Sequence, residues 1–243
     1  MTQDAIGMIQ FNALSAVFIT LFAAAAFTRL ALSRANIAHL RAHGHIVPDA
    51  FRDEIDEATL ARMRDYTVES SRFHSLESLA DDILLLAVLF AGVFPWLAGE
   101  IGSLDLHPVW SGTLFFGILY GAGVLLDIPF SLYGNFVIEK KHGFSTITPG
   151  LWLADLVKSL LVSAVLLALL FAPLLALIHR LPQAWWIAAW VFFALFQMLM
   201  IWLYPLAIAP LYNKYAPVRD EALRDRILAL VEKAGLRAEG IFE

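Results

Sequence analysis

The chain has no cysteine among its 243 residues. That absence excludes disulfides, thiolate nucleophiles and thiolate metal ligands, and it leaves the redox compartment open. Charge is nearly as scarce: Asp, Glu, Lys and Arg make up 16% of the residues, against 60% hydrophobic. No basic tract suited to a phosphate backbone occurs, so nucleic acid is not expected as a partner. No His-Glu dipeptide occurs anywhere. The flank Met1-Thr-Gln-Asp4 has no positive charge before the first apolar run, and that run is too long for a secretory signal peptide. It reads as a retained first span.

What is present is apolar sequence. A mean hydropathy of +0.70 and an apolar content well above the roughly half usual in soluble domains point to a bilayer as solvent. Five stretches are long enough to cross about 30 Å of hydrocarbon, or approach it, near Ile6–Leu32, Ile83–Ala98, Val109–Phe130, Leu156–Ile178 and Trp185–Ala209. The second is the shortest. The expected fold class is therefore all-α, a polytopic helical membrane protein with about five transmembrane helices, a helical cytoplasmic loop and the start of a cytoplasmic domain. The expected divisions are residues 1–32 for span 1, 33–82 for the loop, 83–209 for spans 2 to 5, and 210–243 for the beginning of the last domain.

Lys and Arg are distributed unevenly between the loops. Fifteen of the 17 fall after span 1, after span 3 or after span 5, while Arg180 stands on the opposite side and Lys158 adjoins the rich side. The positive-inside rule then places the N-terminus outside and the tail in the cytoplasm. Trp96, Trp110, Trp185 and Trp186 bracket the outer boundary, and Trp152, Trp202 and Tyr204 the inner one, where such rings prefer to sit. The Ala-, Leu- and Arg-rich composition points to a bacterial inner membrane.

Between spans 1 and 2, Phe51, Ile55, Met63, Tyr66, Phe73 and Leu76 are set among charges of both signs, the pattern of an amphipathic helical hairpin at the membrane face. His39, His43 and His45 lie close together there and read as solvated loop histidines, because no carboxylate ligand of obvious spacing accompanies them. After span 5, Leu223, Ile227, Leu230, Val231 and Ala234 follow helical spacing up to Gly235, a C-terminal stop. Ile241-Phe242-Glu243 then looks strand-like. One amphipathic helix cannot bury its apolar stripe alone, so a truncated cytoplasmic domain is expected.

The most distinctive chemistry lies between spans 3 and 4, in residues 131–155. Glu139-Lys-Lys-His142-Gly143 carries cationic side chains in a last helical turn with Gly beyond it, which complements the helix dipole. Thr148-Pro149 reads as an N-cap and a first-turn proline, so the next helix begins at Pro149. Asp155 and Lys158 then share one helix face, one turn apart. They fit either an interfacial anchor or a polar cavity lining, and Asp127 at the inner end of span 3 poses the same choice.

Phe136-Val-Ile-Glu139-Lys-Lys-His142-Gly-Phe144, Thr148 and Leu-Ala-Asp155-Leu-Val-Lys158 resemble the signature loop of the type I CAAX prenyl proteases, which are integral-membrane zinc metalloendopeptidases. Ile208-Ala-Pro210-Leu-Tyr-Asn213-Lys-Tyr-Ala-Pro217 is similar to that family's run from its fifth span into the protease domain. Arg64-Asp-Tyr66 with Arg72-Phe73 is a weaker third match. Ser145 departs from the pattern, which usually has Asn after Gly-Phe. The resemblance implies water activated on zinc by a helical His-Glu-x-x-His and a later Glu. It also implies that this motif lies downstream of Glu243. No catalytic and no metal-ligating residue is therefore expected here, and zinc is expected only in the full-length protein. Glu139, Lys140, His142, Gly143, Phe144, Thr148, Asp155, Lys158, Pro210 and Asn213 would be structural or chamber-lining.

The implied partners are the bilayer, a C-terminal catalytic domain and a membrane-associated peptide or protein, whether prenylated or misfolded. Two other readings are a non-catalytic membrane scaffold or binding module and, below it, a small transporter using Asp127, Asp155 and Lys158. The lack of an internal repeat counts against the transporter. The expected result for the purified chain is substoichiometric zinc by elemental analysis; one tightly held zinc per chain would show that its histidines form a site.

Overall fold

Hydrocarbon offers a backbone no hydrogen bonds, so a spanning segment satisfies its own amides as continuous helix. The computed structural model describes residues 11–47, 56–213, 216–235 and 240–242. Ile6, Phe51, Ile55, Lys214, Tyr215 and Glu243, all used in the sequence reading, lie outside the described residues. Among the described residues, four helices are long and apolar enough to cross a membrane, or five if one bent pair counts as a single span. The chain divides into two units, Met1–Leu156 and Val157–Glu243.

In the first unit, α1 spans Ala13–His43 and α2 spans Glu57–Phe90. Asn12 caps α1 by accepting from Ser15 N at 3.0 Å, and Ser15 Oγ accepts from Asn12 N in return. Asp56 caps α2 through Thr59 N at 2.6 Å. Neither helix contains Gly or Pro, so nothing interrupts them at the expected divisions after residues 32 and 82. Residues 33–43 and 57–82 of the expected helical loop therefore continue α1 and α2 without a break. These two run antiparallel, with Phe11 stacked on Phe90 at 5.4 Å, Arg29 paired with Asp82 at 2.6 Å and the Ser33 and Ser75 hydroxyls 2.8 Å apart.

The expected second span is not straight. After Phe90 the chain passes through Gly92, whose φ of +74° is costly for any other residue, and restarts as α3, Val93–Gly102, bent by 59° from α2. Helix α4, Pro108–Tyr133, follows with proline in its first turn. It continues through a π-helical turn, Gly134–Ile138, into the short α5, Glu139–Lys141. Asn135 Nδ2 donates to the Ser131 carbonyl at 2.8 Å at this turn, competing with the helix's own ladder where it widens. Helix α6, Pro149–Arg180, begins at the expected residue, and Thr148 Oγ1 accepts from Leu151 N at 3.3 Å.

The second unit holds most of α6, then α7, Trp185–Leu203, which leads through a second π-helical turn, Tyr204–Ile208, into α8, Ala209–Tyr212. Pro205 lacks an N–H for the regular ladder, and the helix widens there, with Ala209 N reaching Tyr204 O. Helix α9, Glu221–Lys233, is capped by Asp220 and stopped at Gly235, φ +74°. An isolated antiparallel bridge joins Pro217 and Phe242, and Val218 N donates to Ile241 O at 3.2 Å, in keeping with the strand-like reading of that segment.

Large apolar side chains face outward along the spans, among them Leu125, Leu161, Trp190 and Ile201, as expected where lipid takes the place of a core. The cysteine-free background makes the course of α4 directly testable. Ser103→Cys, before α4, and Ser145→Cys, after α5, are expected to react with a membrane-impermeant maleimide from opposite faces of the membrane, residue 103 from outside. Labelling of both from one face would contradict the span.

Candidate functional site

The signature segment is held by α2. Helix α5 ends at His142 in a double-bonded C-terminal turn: Gly143 N donates to Lys140 O at 3.2 Å and Phe144 N to Glu139 O at 2.9 Å. Gly143 has φ +79°, where a side chain costs about 1–2 kcal/mol, which is why glycine stands there. The turn brings Glu139, Lys141, His142 and Phe144 against α2. Tyr66 Oη donates to Glu139 Oε1 at 2.6 Å. Glu69 Oε2 lies 2.8 Å from both Lys141 Nζ and His142 Nε2. The Tyr66 ring rests against Phe144 at 4.7 Å and edge-on to His142 at 5.3 Å.

Aromatic packing extends this contact toward the membrane. Phe73 packs against Tyr133 at 5.0 Å and Phe130 at 6.1 Å, and a Cβ on Gly134 would stand 3.7 Å from the Phe73 ring. Ile138, 2% exposed, and Val68 are buried beneath the polar contacts. Trp152 of α6 donates its indole N–H to Ser131 Oγ at 3.1 Å and meets Phe136 edge-on. A cleft of about 920 Å³ opens beside the cluster, bordered by Arg64, Glu69, Arg72, Tyr133 and Lys141 among others.

The charges at this contact are mutually adjusted. Hydrogen bonds from Lys141 and then His142 hold the Glu69 carboxyl below its ordinary value of 4.5. The hydrogen bond to Glu139 raises the Tyr66 phenol above its ordinary 10.0. With one carboxylate bridging two donors and a phenol on a second, the arrangement clamps a turn. It provides no nucleophile.

Of the ten residues singled out in sequence, Glu139, His142, Gly143 and Phe144 come together in this cluster. Lys140 is exposed at the helix end, and Thr148 caps α6. Asp155, half-buried, lies in the first turns of α6. Asp127 is exposed on α4, two residues before Pro129. In the second unit, Lys158 Nζ donates to the Leu211 carbonyl at 3.3 Å and sits 5.3 Å from the Tyr212 ring centre, and Ser159 meets the Tyr212 hydroxyl at 3.0 Å. Pro210 stands in the first turn of α8, and Asn213 follows its end in extended conformation. Glu69 was missed by sequence reasoning, although its spacing from Tyr66 and Phe73 places it on their helical stripe.

The histidines do not fit a catalytic zinc. His39 and His43 stand one turn apart on α1 with rings 4.4 Å apart, but Leu40 occupies the place a general-base Glu would need. Among the described residues no three His, Asp or Glu side chains are gathered to hold a metal ion.

A family described as CAAX prenyl protease N-terminal, five membrane helices, matches residues 36–214. The chain belongs to this family. A CAAX prenyl protease 1 homolog of Arabidopsis thaliana is 28% identical over 205 residues, covering 81% of this chain and 48% of the relative. CAAX prenyl protease 1 of Saccharomyces cerevisiae is 27% identical, covering 81% and 46%. The crystal structure of S. mikatae Ste24p superposes with a TM-score of 0.81 at 26% identity, over 92% of this chain and 53% of that one. The chain thus spans about half the length of the CAAX proteases it matches and represents their membrane domain.

Because Glu69 is ionised more readily in the fold, its contact is complete above its unfolded value, near 4.5, and is lost as pH falls through the lower folded value. Glu69→Gln is expected to lower the detergent melting temperature by a few degrees at pH 7, with the gap to wild type closing as pH drops below 4.5. A gap independent of pH would assign the loss to packing.

Proposed function

We propose that this chain is the N-terminal membrane domain of a zinc metalloendopeptidase that cleaves membrane-associated proteins, either prenylated C-terminal peptides or misfolded membrane proteins. Its spans would form a membrane chamber, and the metal centre would come from a domain outside these 243 residues. The observation that carries this reading is the ordered match across residues 36–214, with the Glu139–Phe144 turn clamped to α2 inside it. The proposed topology has the N-terminus outside and the hairpin, the signature turn and the tail in the cytoplasm. The bacterial inner membrane is proposed from composition; the relatives named above are eukaryotic.

In this reading the chain's own residues position and exclude. The clamp between α2 and α5 would fix one rim of the chamber, while the spans would separate substrate from lipid. Zinc, when bound by the catalytic domain, would supply an activated water. No step is assigned to a histidine of this chain.

The test is complementation in proteoliposomes. The chain alone is expected to leave a membrane-anchored farnesylated reporter peptide intact. Co-expression with the catalytic segment of a family member is expected to give cleavage that a chelator abolishes. Chelator-sensitive cleavage by the chain alone would overturn the assignment of the metal centre, and a well-assembled pair without activity would overturn the chamber role.

A further inference from the structure

Basic residues of the α1–α2 hairpin fall into two groups. Arg29 is paired with Asp82 and Arg64 with Asp65. Among the described residues, Arg34, Arg41, Arg62 and Arg72 have no carboxylate at ion-pair distance; Arg62 donates to Thr59 Oγ1 at 3.1 Å, and the other three border one groove. This groove, about 450 Å³, lies between α1 and α2 and is floored by Ile37 and Leu76. Leu30 and Leu79 line the end nearest the Arg29–Asp82 pair, while the Ser33 and Ser75 hydroxyls are bonded to each other at 2.8 Å and Ser75 donates to Ser71 O. It shares Arg41 and Arg72 with the larger cleft beside the signature turn.

Position along the hairpin decides what such a groove suits. The groove lining starts at Leu30, beside the Arg29–Asp82 pair, and runs to Arg41. With the spans ending and beginning near that pair, as the sequence reading has it, the three guanidiniums would stand at headgroup depth and the leucines at acyl-chain depth. Guanidinium forks match phosphate oxygens, and uncompensated arginines at a membrane surface attract anionic lipid. A soluble anion would satisfy the arginines and leave Leu30 and Leu79 unused; a phospholipid engages both.

We propose that the groove of Arg34, Arg41 and Arg72 binds the phosphate headgroup of an anionic phospholipid from the adjoining leaflet, with its acyl chains along Leu30 and Leu79. The site anchors the hairpin that carries Tyr66 and Glu69, and so couples lipid composition to the seating of the signature turn. It rests on the membrane reading of the chain and is independent of any protease activity.

Native mass spectrometry of the detergent-purified chain with phosphatidylglycerol or phosphatidylcholine tests this. Wild type is expected to retain phosphatidylglycerol roughly tenfold better than phosphatidylcholine. R34Q/R41Q/R72Q is expected to lose that preference, while R226Q, on the exposed face of α9, keeps it. Inorganic phosphate in excess is expected not to displace the lipid. Equal retention of the two lipids, an unchanged preference in the triple variant, or displacement by inorganic phosphate would overturn the proposal. Should the triple variant lose its helical circular dichroism, the single variants decide: each is expected to weaken retention at least about twofold, and no change in any would sink the site.

Discussion

A backbone in hydrocarbon must satisfy its own hydrogen bonds, and most of this structure follows from that demand. Long helices answer it, and their outward leucines, phenylalanines and tryptophans need no protein partner because lipid provides one. What differentiates the molecule is therefore confined to places where the helical ladder is altered or leaves the membrane. Gly92 bends the second span, Pro205 widens the last one, and Asn135 competes for the Ser131 carbonyl where α4 widens. Each departure has a local chemical cause.

The most consequential departure is at the end of α5. Glycine in left-handed conformation reverses the chain at residue 143 and presents Glu139, Lys141, His142 and Phe144 to a helix some seventy residues earlier in the sequence. Exposed ion pairs individually contribute little. Here one carboxylate bridges two donors above buried Ile138 and Val68, so charge specifies the register while apolar contact supplies adhesion. The hairpin beyond the membrane thus buttresses the turn. The same hairpin carries Arg34, Arg41 and Arg72 around one groove, none of them with a carboxylate partner among the described residues.

Much of the architecture was legible in the sequence because the signals involved are local. Pro149 after Thr148 marks the start of α6, Gly143 and Gly235 mark stops, and apolar runs longer than the bilayer mark spans. The bend at Gly92 was not legible, since a single glycine in an apolar run is equally compatible with a straight helix. Helix formers run uninterrupted from Ala13 to His43 and from Glu57 to Phe90, so the expected divisions after residues 32 and 82 fall inside continuous helices. Ten residues were singled out by motif, yet only four meet in the cluster, because a motif records adjacency along the chain and not in space.

Sequence by itself determined the membrane class, the helix start at Pro149 and the stops at Gly143 and Gly235, and the likeness of residues 136–158 and 208–217 to one protease family. All of these depend on residue type and short-range spacing. Only the tertiary structure decided that Tyr66 and Glu69 are the partners of Glu139, Lys141 and His142, and that three arginines of α1 and α2 share one groove. Those facts depend on how two helices are rotated about their axes, which is set by packing between segments distant in sequence. No local propensity encodes that rotation.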